Sequence, residues 1–185
     1  MDQGAELYRC FLQGDDAALT SLIALYRPPL TRYLMGLVHQ QTVVEELVED
    51  TFFILCCKKP EYRKKGTFKT WLFTIGRHQA IDLMRKQNRH GRIPLDACFT
   101  LPSAAPTPEE AFLRQAQTQT VAQAMKRLPA QYGQALYLYY YEGFSIEQLA
   151  EIFKKSKHNT SALLYRARLA LKEALQKEGF VYGDE

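Results

Sequence analysis

Cysteine and histidine are scarce in this chain, four of each among 185 residues, and neither is placed for chemistry. Cys10, Cys56, Cys57 and Cys98 form no C-x-x-C pair. That argues against a disulfide framework and fits free thiols in a reducing cytosol. His39, His78, His90 and His158 are scattered, and none pairs with Cys, Asp or Glu at metal-ligand spacing, so no metal is expected. No glycine-rich phosphate loop is visible; at the nearest candidate, Gly66 stands alone. No nucleophile-and-base pattern stands out either, so neither catalysis nor a cofactor is expected. Long apolar runs are missing as well. No window approaches the roughly eighteen uncharged apolar residues of a membrane span, so no membrane insertion is expected. Met1 to Cys10 is acidic and lacks an apolar segment, which argues against a secretory signal. A cytoplasmic protein is the expectation.

Strand patterns are equally hard to find, and what remains reads as helices separated by short punctuation. Gly14-Asp15 ends a first helix and can cap the next, which carries Ala18, Leu19, Leu22, Ile23, Leu25 and Tyr26 at helical spacing. Pro28 and Pro29 predict a break or kink there. A helix from about Thr42 to Cys57 follows, apolar on one side and acidic on the other. After a lysine-rich loop, Phe68, Trp71, Leu72, Ile75 and Gln79 recur at three- and four-residue steps. Four of the eight prolines fall between Ile93 and Pro108, in a stretch rich in alanine, serine and threonine. That composition predicts a flexible linker without a core of its own. The expected architecture is all-α, with small helical domains at 1–92 and 109–185 joined by a linker at 93–108. Whether the two domains dock on each other is left open.

The second domain has a recognisable local pattern. Ser145-Ile146-Glu147-Gln148 matches a capping box. A short helix through Phe153, a polar turn at Lys154 to Lys157 and a longer helix, with Asn159 as its expected cap, make a helix-turn-helix. Such a unit can lay its second helix in the major groove. A plain helical hairpin would show the same spacing. The basic residues Lys154, Lys155, Lys157, Arg166 and Arg168 favour DNA.

Charge is distributed unevenly. The chain is net +4, yet residues 1–57 hold three basic and eight acidic side chains, and residues 58–92 hold eleven basic and two acidic ones. A 35-residue stretch at +9 attracts a polyanion, usually nucleic acid, whereas an ordinary solvated surface mixes its signs. Within it, Tyr62, Phe68 and Trp71 could offer rings to exposed bases, although Trp71 and Leu72 fit a packed core at least as well.

Three segments then carry a family resemblance. Val43-Val44-Glu45-Glu46-Leu47-Val48-Glu49-Asp50-Thr51-Phe52 resembles the acidic helix of bacterial sigma-70-type RNA polymerase sigma factors. Phe68 to Arg85, around Thr70-Trp71-Leu72-Phe73-Thr74-Ile75-Gly76-Arg77, resembles their promoter-melting segment. Leu128-Pro129, Tyr141-Glu142-Gly143-Phe144-Ser145 and Tyr165-Arg166-Ala167-Arg168 resemble their C-terminal helix-turn-helix. The two-domain layout with a short linker is similar to the extracytoplasmic-function (ECF) subgroup.

The resemblance implies a sigma factor that binds core RNA polymerase and directs initiation at chosen promoters. Glu45, Glu46, Leu47, Glu49, Asp50 and Phe52 would meet the polymerase. Lys64, Lys65, Gly66, Thr67, Lys69 and Trp71, with Arg77, His78, Arg85 and Arg89, would hold the minus-ten element. The minus-thirty-five element would fall to Lys154, Lys155, Lys157, His158, Asn159, Thr160, Ser161, Tyr165, Arg166 and Arg168. An anti-sigma protein that masks these faces is also implied. Three departures from the family pattern stand out. His78 replaces the usual Asn, Val43 the usual Asp, and Ser161 and Leu163 occupy positions usually basic. The alternative reading is a stand-alone helix-turn-helix regulator that binds duplex DNA without polymerase.

Overall fold

The structure, a computed structural model, describes residues 2–62, 66–89, 98–101 and 111–178, and the side chains among these except those of 89 and 111–118. The expectations for Lys64, Lys65 and the Arg89 side chain lie outside the described residues. Among the described residues every regular element is helical.

Helix α1 (Gln3–Leu12) is capped by Asp2, and α2 (Asp16–Val38) by Asp15, whose carboxylate accepts from the amides of Ala17 and Ala18. Of the break or kink expected at the prolines, the break does not occur: α2 runs through both. The carbonyls that lose their donors belong to Ala24 and Leu25, both on the exposed side where water can serve them. An interior proline costs about 3 kcal/mol. Leu22, Leu30, Tyr33 and Leu34 on the opposite side are fully buried. At roughly 1.5–3 kcal/mol for each fully buried apolar side chain, that face outweighs the penalty.

Helix α3 (Gln41–Phe53) buries Val44, Leu47, Val48, Thr51 and Phe52 against this bundle. It runs into a π-helical turn, Ile54–Lys58, that ends at Lys59 in the left-handed region (φ 42°). Helix α4 (Phe68–Arg89) is anchored at its start by Asp2, whose carboxylate accepts from the Phe68 amide at 2.6 Å and the Tyr62 hydroxyl at 3.3 Å. Thr51 Oγ lies 2.6 Å from Gln79 Oε1 and ties α3 to α4.

The second bundle comprises α5 (Ala111–Lys126), α6 (Ala130–Tyr140), α7 (Ile146–Phe153) and α8 (Lys157–Lys177). The expected capping box is present on α7. The cap of α8 is Ser156, three residues before the expected Asn159, and its hydroxyl accepts from the Asn159 amide at 3.2 Å. Lys154 adopts the left-handed conformation (φ 52°) that turns the chain between α7 and α8. These elements make the helix-turn-helix.

The two bundles share one continuous apolar core, with α7 against α4 and α6 against α2. Phe99, from the predicted linker, is 0% exposed between them. Its ring centroid lies 6.2 Å from Tyr33 on α2 and 5.3 Å from Tyr137 on α6. Glycines admit it: a Cβ at Gly36 would fall 2.5 Å from Phe99 Cζ, and one at Gly133 would fall 2.6 Å from Phe99 Cβ. The Thr100 amide donates to the Gly36 carbonyl at 3.0 Å, and His39 Nε2 donates to the Cys98 carbonyl at 2.8 Å.

Candidate functional site

Helix periodicity divides α3 into a buried and an open side. Glu45, Glu46, Glu49 and Asp50 are all exposed. Glu49 has Arg27 at 3.9 Å, and Glu45 accepts from the Gln41 amide at 2.9 Å. Leu47 and Phe52, grouped with them from the sequence, are 5% and 6% exposed and pack in the core. The aromatic ring on the open side is Phe53, 59% exposed. It continues the row Glu46, Glu49, Asp50 by three- and four-residue steps. Counting those steps from the sequence also leads to Phe53.

The start of α4 holds a cluster of rings. Trp71 is half-buried, with Tyr8, Tyr62 and Phe68 at centroid distances of 5.4–5.5 Å. This is the packed alternative for Trp71. Burial pushes the phenols of Tyr8 and Tyr62 up to about 12, so both stay neutral donors at physiological pH. Gly66 is exposed with φ 83°, and Thr67 is half-buried.

Lys69, Arg77 and His78, also expected to touch DNA, lie on the side of α4 that packs against the second bundle. Lys69 Nζ lies 2.8 Å from a Glu142 carboxylate oxygen and donates to the Glu142 carbonyl at 3.0 Å. It sits over the rings of Phe144 (4.9 Å) and Phe73 (5.6 Å). The Glu142 side chain is only 7% exposed and also accepts from the Tyr137 hydroxyl at 3.1 Å. Arg77 stacks on Phe153 at 4.7 Å and donates through Nε to Gln134 Oε1 at 3.1 Å. The Tyr33 hydroxyl shares that acceptor at 3.3 Å, and burial pushes its phenol well above the ordinary range. Gln148 Nε2 donates to Thr67 Oγ at 3.2 Å. His78 is half-buried beside these groups. Its pKa is held below 6.5 first by burial, then by Lys154 and Arg77. Arg85 is exposed, with Asp82 at 3.7 Å.

On the helix-turn-helix, Lys154, Lys155, Lys157, His158 and Asn159 form an exposed run. Lys157 lies 2.5 Å from Glu147, a pairing that pulls the Glu147 carboxyl down to about 2. Thr160 is 0% exposed and its hydroxyl donates to the Ser156 carbonyl at 3.0 Å, so it faces the core and not a groove. Ser161 is half-buried. Leu163 is 4% exposed, so its apolar side chain fills the core and leaves no gap in a reading surface. Tyr165, Arg166 and Arg168 are exposed, and Arg168 covers Tyr139 at 5.2 Å and Tyr140 at 5.6 Å.

Comparison with known proteins follows the same two-part division. Residues 22–90 match the family model for sigma-70 region 2, and residues 118–171 match that for sigma-70 region 4. The chain is similar to RNA polymerase sigma factor YlaC of Bacillus subtilis, 26% identical over 86% of this chain and 93% of that protein. It is similar to ECF RNA polymerase sigma factor SigM of the same organism, 28% identical over 87% and 96%. Among solved structures it resembles the sigma factor RpoE of Bartonella quintana in complex with the anti-sigma factor NepR. The TM-score is 0.66 and the identity 25%, covering 85% of this chain and 96% of that one.

Proposed function

The chain belongs to the sigma-70 family of RNA polymerase sigma factors, in the ECF group, and from that premise we propose how its surfaces divide the work. It is a sigma factor and not a stand-alone regulator. It joins core RNA polymerase through Glu45, Glu46, Glu49 and Asp50, with Phe53 as the apolar anchor beside them. An exposed carboxylate row steers a basic partner and fixes register, and a single aromatic at its edge supplies the desolvated contact. Leu47 and Phe52 support this face from behind.

Promoter DNA falls to the basic half of the first domain and to the helix-turn-helix. Lys64, Lys65, Gly66, Thr67, Lys69, Arg77, His78, Arg85 and Arg89 hold the minus-ten strand. Opening the duplex costs a few kcal/mol per unstacked step, and capture of the extruded bases offsets that cost. His158, Asn159 and Ser161 read the minus-thirty-five element. Lys154, Lys155, Lys157, Arg166 and Arg168 hold phosphates, with Tyr165 alongside. Domain limits of 1–92 and 109–185 follow from this division. The chain acts in the cytoplasm, performs no catalysis itself and is held in reserve by an anti-sigma protein; a complex of RpoE with the anti-sigma factor NepR supports such a partner.

The observation that carries this reading is the split surface of the first domain, with four carboxylates open on α3 and a +9 segment immediately after it. The test is run-off transcription with core polymerase on a library of promoter fragments. Initiation at a defined site supports the reading; failure to bind core polymerase defeats it.

A further inference from the structure

A carboxylate on a surface meant for DNA needs a physical reason, because phosphates repel it. Glu147 is such a group. It belongs to the first turn of α7, yet its carboxylate lies 2.5 Å from the ammonium of Lys157, the first residue of α8. The contact brings an acidic group of α7 to the start of the reading helix, where side chains meet base edges. Both side chains are exposed, and an exposed ion pair adds little to stability. Its consequence lies in what the surface binds. Resting on the reading of α8 as the minus-thirty-five helix, we propose that Glu147 reads a cytosine in that element by accepting from the C4 amino group, with Lys157 holding the carboxylate in place.

The carboxylate is fixed and ionised. The Lys157 ammonium, the Glu147 backbone amide and the Ser145 hydroxyl all bond to it and together hold its pKa down at about 2. At physiological pH it is therefore an acceptor with no proton to donate. Lys157 offsets the charge that would repel the duplex. An ammonium carries several donors, so Lys157 can serve Glu147 and a phosphate at once. In the major groove the amino groups of cytosine and adenine are the donors, whereas guanine and thymine present acceptors. A carboxylate is repelled by the latter two. Adenine sets its N7 acceptor beside its amino group and so meets a carboxylate with an attraction and a repulsion together. Cytosine offers the amino group without that neighbour, and it is the base a donor-free side chain selects. His158 and Asn159 follow Lys157 in the same exposed run and take the adjoining bases.

The test is transcription by the full chain with core polymerase from promoters randomised over the minus-thirty-five element, with base use counted at each position. The unaltered chain is expected to favour cytosine at one position by at least about fivefold. Glu147→Gln is expected to abolish that preference and to raise adenine in its place, because a side-chain amide pairs with both N6 and N7 of adenine. Glu147→Asp keeps an acceptor without a donor and is expected to keep cytosine by a smaller margin. Lys157→Gln frees the carboxylate and is expected to shrink the cytosine margin while lowering the use of all promoters alike. Glu173→Gln makes the same charge change as Glu147→Gln on an exposed part of α8 and is expected to alter no preference. Preferences that Glu147→Gln leaves unchanged at every position overturn the proposal. So does an even loss of transcription across all sequences, the mark of a pair that only braces α7 against α8. Preferences confined to positions that respond to His158→Ala and Asn159→Ala leave the reading helix standing and overturn the role of Glu147 alone. Transcription indifferent to the whole element defeats the reading helix and the proposal with it.

Discussion

The two halves of the first domain's surface behave oppositely. The acidic row on α3 is exposed, while Lys69 and Arg77 on α4 are tied up by a carboxylate, a ring and a side-chain amide from the second domain. Both rows lie on helices of one bundle and both follow from helical periodicity, so local structure does not separate them. What separates them is the tertiary partner. Lys69 and Arg77 are cations with no carboxylate of their own nearby on α4, and the second domain supplies Glu142 and Phe153. The contrast teaches that one fold can leave one charged face open and cover another.

The largest expected effect attacks the open face. Reversing Glu49 and Asp50 to Lys, or changing Phe53 to Asp, should weaken binding to core polymerase by about 2–4 kcal/mol, the range of interface hot spots. Thermal stability should move by no more than about 0.5 kcal/mol, as for other surface changes. Phe52→Ala should do the reverse. Its ring is 6% exposed, and truncation of such a ring costs about 3–5 kcal/mol of stability. Competition binding and thermal melts together separate the two neighbours; equal effects on polymerase binding from Phe52→Ala and Phe53→Ala, with equal melts, would erase the distinction between the faces of α3.

A second comparison lies within the reading helix. His158→Ala and Asn159→Ala should each alter promoter choice by about 1–3 kcal/mol per lost base contact, with little change in melting. Thr160→Ala should leave promoter choice alone and lower stability by about 1 kcal/mol, the net worth of its buried hydrogen bond. Transcription from a randomised minus-thirty-five library checks both; altered preference from Thr160→Ala contradicts its placement in the core.

Much of the fold was legible in the sequence because helices write their period into the chain. The acidic side of α3, the Asp15 cap and the Ser145 capping box were all readable as local patterns. The uninterrupted α2 was not, because proline's local penalty is visible in sequence and the buried face that outweighs it is not. Phe99 was illegible for a related reason. It lies in a proline-rich stretch with no periodicity, and its slot is made by two glycines 97 positions apart, whose lack of a side chain carries no local signal. Thr160 and Leu163 were placed on the DNA side by resemblance, whereas burial depends on the three-dimensional angle of α8 against α6 and α7.

Smaller effects would sharpen the contrast between open and covered faces. Gly133→Ala should stabilise α6 locally by about 0.8–1 kcal/mol from helix propensity while its methyl crowds Phe99. Hydrogen exchange should therefore slow within α6 and quicken in the first turns of α4. Slower exchange in both would mean the slot has room to spare.

The smallest effect is a pH dependence of docking. His78 is held neutral in the folded chain by burial and by Lys154 and Arg77, with Arg85 adding and Asp82 opposing. A histidine with a lowered folded pKa contributes stability that is present above its ordinary value of 6.5 and is lost as pH falls through the folded one. The contact of α4 with the second bundle should therefore loosen on acidification, seen as a growing radius of gyration, and His78→Asn should flatten that response. A chain that tightens on acidification would contradict the sign.

The most direct measurement of the open-and-covered contrast is the reactivity of Lys69. Acetylation of the full chain, followed residue by residue by mass spectrometry, should label exposed Lys155 quickly and Lys69 more slowly, as expected for a half-buried ammonium held by the Glu142 carboxylate and carbonyl. Equal labelling of Lys69 and Lys155 in the free chain would contradict it.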